Sequence, residues 1–192
     1  MVELSDLNKQ EHFLLGIIKI FSKNFKLNGT IIQKLTFLAN KYIDKPYIYD
    51  YEPNNFGPYS EDVATTLSYD KERGFINENY SLTDKGEILG TKIINFGLPE
   101  KDKIIELSMG LQGLSNDDII YLVYKLYPEF TSESKIKYKV DSHILESFEI
   151  DIKKLSDNEI KIKGDKNHFI KVKKNNNNVI IVKEDNDVNG DR

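Results

Sequence analysis

Apolar positions recur at helical spacing from the start of the chain. Leu14, Ile17, Ile18, Phe21 and Phe25 fall at i, i+3, i+4, i+7 and i+11, the stripe of an amphipathic helix running from about Glu3 to Asn24. Asn28-Gly29 breaks the pattern. Thr30 is read as the N-cap of a second helix, with Ile31, Leu35, Leu38, Ala39 and Tyr42 on one face and an end before Pro46. Tyr47 to Tyr59 is aromatic and turn-rich. There Pro53, Asn54, Asn55, Gly57 and Pro58 exclude a continuous helix and predict a structured loop with one short strand at Tyr47 to Tyr51.

Ser60 then caps a short third helix, Glu61 and Asp62 suit the positive end of its dipole, and Val63, Ala64 and Leu67 are its buried face before Gly74. Phe75-Ile76 and Tyr80-Ser81-Leu82, on either side of Asn77-Glu78-Asn79, are brief strand candidates. Thr83 or Asp84 caps a fourth helix carrying Ile88 or Leu89, Ile93 and Phe96. Two further helices follow, one after Pro99 with Ile104, Leu107 and Leu111, the other from Ser115 or Asn116 to Pro128 with Ile119, Val123 and Leu126.

From Lys135 the period changes to two. Lys135, Lys137 and Lys139 alternate with Ile136, Tyr138 and Val140, and similar alternation follows at Phe148 to Ile152 and Ile160 to Lys163. Phe169 to Lys173 and Val179 to Lys183 flank Asn175 to Asn178 and predict a hairpin. The expected class is α+β: a mostly helical winged helix-turn-helix domain over 1–135, a small C-terminal antiparallel β unit over 136–183, and a disordered acidic tail over 184–192.

That class follows from the order helix, helix, helix, two short strands, helix, in which a third helix can enter a major groove and a wing can touch flanking phosphates. Thr65, Thr66, Ser68 and Tyr69 are then the groove candidates, and Lys71, Arg73 and Lys85 the candidate phosphate partners. Against this, Glu61 and Asp62 occupy the turn where helix N–H groups would otherwise favour phosphate. The net charge of -4 excludes a chain that coats nucleic acid indiscriminately. Charge is nevertheless uneven: residues 135–183 carry 12 Lys and Arg against 7 Asp and Glu. Lys161, Lys163, Lys171 and Lys173 are therefore candidates for an auxiliary basic face, or equally for guards against edge-to-edge strand pairing.

Several strings resemble a known family. Ile32-Gln33-Lys34-Leu35-Thr36-Phe37-Leu38, Asn55-Phe56-Gly57-Pro58-Tyr59-Ser60-Glu61-Asp62, Gly74-Phe75-Ile76 and Tyr80-Ser81-Leu82-Thr83-Asp84-Lys85-Gly86 are similar in order and spacing to prokaryotic winged-helix proteins related to the Panacea-type antitoxin domain. Tyr121 to Ser134 resembles the helical tail of that family. The resemblance covers about residues 10–135 and implies a winged-helix fold with a role in regulation, toxin neutralisation or defence. It implies no catalytic residues and has no counterpart for the lysine-rich segment after Asp141.

Phe56 and Tyr59 are expected to insert into the core beside the second helix, or else to form an aromatic pocket with Tyr47, Tyr49 and Tyr51 for a peptide or flat ring. His12, His143 and His168 lack metal-ligand spacing, and no cysteine is present. No phosphate-binding glycine loop, nucleophile elbow or His-Glu-x-x-His helix occurs. No catalytic residue, metal or cofactor is therefore expected. The leading expectation is a non-enzymatic regulator of double-stranded DNA; the alternative is an antitoxin or defence component that binds a toxin or effector protein. No apolar run is long enough to span a membrane, a cytoplasmic location is expected, and the pattern permits a homodimer.

Overall fold

Among the described residues the apolar stripes fold as six α-helices: α1 (Lys9–Phe21), α2 (Gly29–Tyr42), α3 (Glu61–Glu72), α4 (Asp84–Lys92), α5 (Lys101–Gly110) and α6 (Asn116–Leu126). The computed structural model describes residues 3–43 and 48–136, together with the backbone of 154–156, 159–163, 169–175 and 178–184. Local capping sets most helix starts. Asn8 and Glu11 form a reciprocal capping box on α1, Ser115 and Asp118 do the same on α6, and Thr83 Oγ1 accepts from Gly86 N on α4. For α2 the cap is Asn28 rather than Thr30. Asn28 has an extended backbone and its Oδ1 accepts from Ile31 N at 2.9 Å, so Gly29 and Thr30 already belong to the first turn.

α1 is the centre of the core. Phe13, Leu14, Leu15, Ile17, Ile18 and Phe21 are all fully buried, because α2, α3, α4 and α5 pack around this one helix. Each such side chain contributes roughly 1.5–3 kcal/mol of apolar burial. α2 is enclosed as well, lying also against α6. On it, Phe37 meets the rings of Tyr51, Tyr127 and Phe130 edge-on at 5.1, 4.8 and 5.0 Å, joining the loop before α3 to the chain after α6.

The expected α+β class, a winged helix with a small C-terminal antiparallel β unit, is corrected to a mostly helical one: the wing is absent from the helical body, and the strands described are confined to short stretches between Lys154 and Glu184. The helical body over residues 3–43 and 48–136 contains no strand. A wing needs paired strands at Phe75-Ile76 and Tyr80-Leu82, but only one isolated bridge, Ile76 to Leu82, forms there. The reason is local. The Asn77 carbonyl oxygen of the side chain accepts from both Asn79 N and Ser81 N, and Tyr80 takes a left-handed φ of 61°, so a tight turn uses up the residues a wing strand needs. Likewise Tyr49 to Tyr51 forms no strand, and Tyr47 lies outside the described residues.

Farther along, the backbone forms β1 (Lys154–Ser156), β2 (Glu159–Lys163), β3 (Phe169–Asn175) and β4 (Asn178–Glu184), each antiparallel to the next. The alternation at 137–140 and 148–152, His143, His168 and the tail after Glu184 lie outside the described residues.

Candidate functional site

Four polar side chains of α2 are buried, and three of them hold the loop that precedes α3. Gln33 brackets one end: its Nε2 donates to Ser60 O at 2.9 Å and its Oε1 accepts from Ser60 N at 3.0 Å. Asn40 does the same at the other end, donating to Tyr49 O at 2.9 Å and accepting from Ile48 N at 3.1 Å. Between them Lys34 Nζ donates to Pro58 O at 2.8 Å. The fourth, Thr36, bonds back to Ile32 O within its own helix. Two amides and an ammonium thus take the place of sheet partners for an irregular segment whose backbone groups need satisfaction.

This anchoring leaves Phe56 at the loop's apex half exposed, which corrects the expectation that it fills the core. Tyr59 is only partly buried and its hydroxyl donates to Glu61 at 3.0 Å. Gly57 beside Phe56 has φ +83°, and a Cβ there would lie 2.7 Å from the Tyr124 ring, so the loop presses directly on α6. Tyr49, expected to line an aromatic pocket, is a core residue instead, and Tyr51, partly buried, packs against the core; the Tyr49 hydroxyl donates to Gln10 O at 2.7 Å.

The loop, the start of α2 and the outer face of α3 enclose a cleft of about 400 Å³. Phe56, Tyr59 and Tyr80 supply its aromatic walls, Leu67 and Ala64 its apolar floor, and Lys34 and Lys71 its charges. Among the described residues, no Asp or Glu lines it. Phe56 and Tyr80 also border a shallower neighbouring groove that runs to Ile120 on α6. Burial lowers the Lys34 ammonium from 10.5 to about 7, because the single carbonyl that meets it, Pro58 O, does not replace the lost hydration of the charge.

The residues predicted to meet DNA are divided by the fold. Thr65, Ser68 and Tyr69 lie exposed on α3, whereas Thr66 is buried. Each predicted phosphate partner has an intramolecular one. Lys71 Nζ sits 3.8 Å above the Tyr80 ring and 3.5 Å from Glu78. Lys85 Nζ donates to Arg73 O at 2.9 Å, over the Phe75 ring. Arg73 pairs with Glu11 of α1. Glu61 and Asp62 are exposed at the start of α3, where they oppose phosphate. On the strands, Lys161 stands opposite Lys171, Lys173 opposite Glu159 and Lys163 opposite Phe169.

Beneath α3 lies a second charged cluster. Asp70 is fully buried, and among the described residues neither carboxylate oxygen has a hydrogen-bond partner. Burial, and then the Glu11 carboxylate, raise its carboxyl from 3.8 to about 7, against the opposing pull of Arg73.

Gln33, Lys34 and Asn40 were not candidates from sequence. The available signal was polar residues on the buried face of an apolar helix, just ahead of a segment too irregular to satisfy itself. Among the described residues no group of His, Asp and Glu is placed to hold a metal ion, and no helix is long and apolar enough to cross a membrane. No protein-family model matches the chain, and no curated protein does.

Proposed function

We propose that this chain is a non-enzymatic protein-interaction module, the antitoxin or defence-component reading, and that a partner protein seats on the cleft between α2, the Phe56-Gly57-Pro58 loop and α3. One observation carries it: a half-exposed aromatic ring is held at the mouth of a mostly apolar cleft by a loop tied down at both ends. Such a preorganised anchor loses little conformational entropy when a partner covers it. The DNA-regulator reading has weaker support, since Lys71, Arg73 and Lys85 already have internal partners and the wing is reduced to one bridge.

The test isolates a partner by capture on the tagged full chain, then reconstitutes the complex from two purified proteins. The expected result is a stoichiometric complex that Phe56→Asp weakens at least about tenfold, the loss produced by about 1.4 kcal/mol. A wild-type chain that shifts duplex DNA with a steep salt slope, and whose partner affinity is indifferent to Phe56→Asp, would overturn the proposal.

A further inference from the structure

We infer that the partner segment recognised in this cleft bears a carboxylate, with Lys34 as its counter-charge and Phe56 and Tyr80 as apolar seats beside it. The inference rests on the cleft being the interaction site and specifies what that site reads.

Lys34 is 2 % exposed and lines the cleft, yet among the described residues only one acceptor, Pro58 O, meets its three N–H donors. No carboxylate pairs with it among the described residues, although the first 134 residues hold more Asp and Glu than Lys and Arg. A buried cation without an anion is unfavourable, and an incoming anion would satisfy both its charge and its open donors. The balance is one unit of charge. Lys71, the other lysine of the cleft, is already engaged with Glu78 and the Tyr80 ring. A monoanionic carboxylate therefore matches, whereas a doubly charged phosphate leaves negative charge uncompensated. The remaining walls are apolar and aromatic, so the carboxylate should come with an apolar or aromatic side chain, within the range of volumes that small ligands and single side chains occupy.

The probe is N-acetylphenylalanine, which joins a ring to a carboxylate, titrated into the ¹⁵N-labelled full chain beside its neutral amide and inorganic phosphate. The acid is expected to shift the amides of Gly29, Thr30 and Gly57 and to bind about tenfold tighter than the amide, with phosphate weaker than the acid. Lys34→Met should bind acid and amide alike. Absence of shifts with the acid, equal binding of acid and amide by wild type, or a preference that survives Lys34→Met would each overturn the inference. Phosphate equalling the acid would overturn the carboxylate assignment. The wild-type comparison decides the matter even if the variant fails to fold.

The two proposals fail separately. A Lys34-dependent preference for the acid, with partner affinity unchanged in Phe56→Asp, removes the interaction reading and keeps the ligand site. Loss of partner affinity without any preference for the acid does the reverse.

Discussion

Arg73 Nη1 lies 2.5 Å from Glu11 Oε1, so the end of α3 is locked to the first turn of α1 by an ion pair whose acid is 4 % exposed. An arginine in this setting is a structural element. Arg73→Ala leaves Glu11 buried and unpaired beside Asp70, and is expected to lower the unfolding free energy by about 3–5 kcal/mol. Lys85→Ala, on an exposed side chain, should change it by about 0.5 kcal/mol or less. Urea denaturation of the two variants checks both; equal midpoints would show that the ion pair contributes nothing.

Two buried groups titrate near neutrality with opposite consequences. Asp70 is raised from 3.8 to about 7, so the folded chain binds more protons than the unfolded one between those values and its contribution to stability falls as pH rises through them. Lys34 is lowered from 10.5 to about 7, so the folded chain binds fewer protons above 7 and its contribution rises towards 10.5. Together they place a minimum near pH 7 in this part of the stability profile, each limb amounting to at most about 5 kcal/mol. Unfolding free energies measured across pH should lose the acid limb in Asp70→Asn and the alkaline limb in Lys34→Met. A profile unaltered by either substitution would refute the assignment.

Phe56 and Phe37 separate surface from core. Phe37 is fully buried among three rings, and Phe37→Ala should cost about 3–5 kcal/mol. Phe56 is 50 % exposed, and Phe56→Ala should cost about 1 kcal/mol or less. Thermal unfolding distinguishes the two; a comparable drop for both would return Phe56 to the core.

Gly57 tests how tightly the loop is seated. Gly57→Ala combines a left-handed backbone with a Cβ 2.7 Å from the Tyr124 ring, and should destabilise by about 1–3 kcal/mol. At Gly74, also left-handed but with open space around it, alanine should cost only the backbone term, about 1 kcal/mol. Chemical denaturation that ranks Gly74→Ala as the more harmful would contradict the contact with α6.

The existence of the six helices of the described residues was legible in the sequence, although α1 starts at Lys9, behind its Asn8 cap, rather than near Glu3. An amphipathic stripe and a cap act over three or four residues, as Ser60 with Val63, Thr83 with Gly86 and Ser115 with Asp118 show. The misplaced cap, Thr30 for Asn28, was an error within one turn. What the sequence alone did not determine was every relationship between residues far apart. Lys71, Arg73 and Lys85 had the composition of a phosphate-binding set, and only the packing of α3 on α1, together with the tight Asn77 turn, gave each an internal partner. Lys34 lay within a recognised string but acquired its buried, anion-free setting from Pro58, 24 residues away. Phe56 has the hydrophobicity of a core residue; its exposure follows from Gln33 and Asn40 fixing both ends of the loop and Gly57 pressing its apex against Tyr124. Local periodicity selects a helix because its hydrogen bonds are local, whereas burial and charge pairing depend on which surfaces meet, and that is settled only when the helices pack.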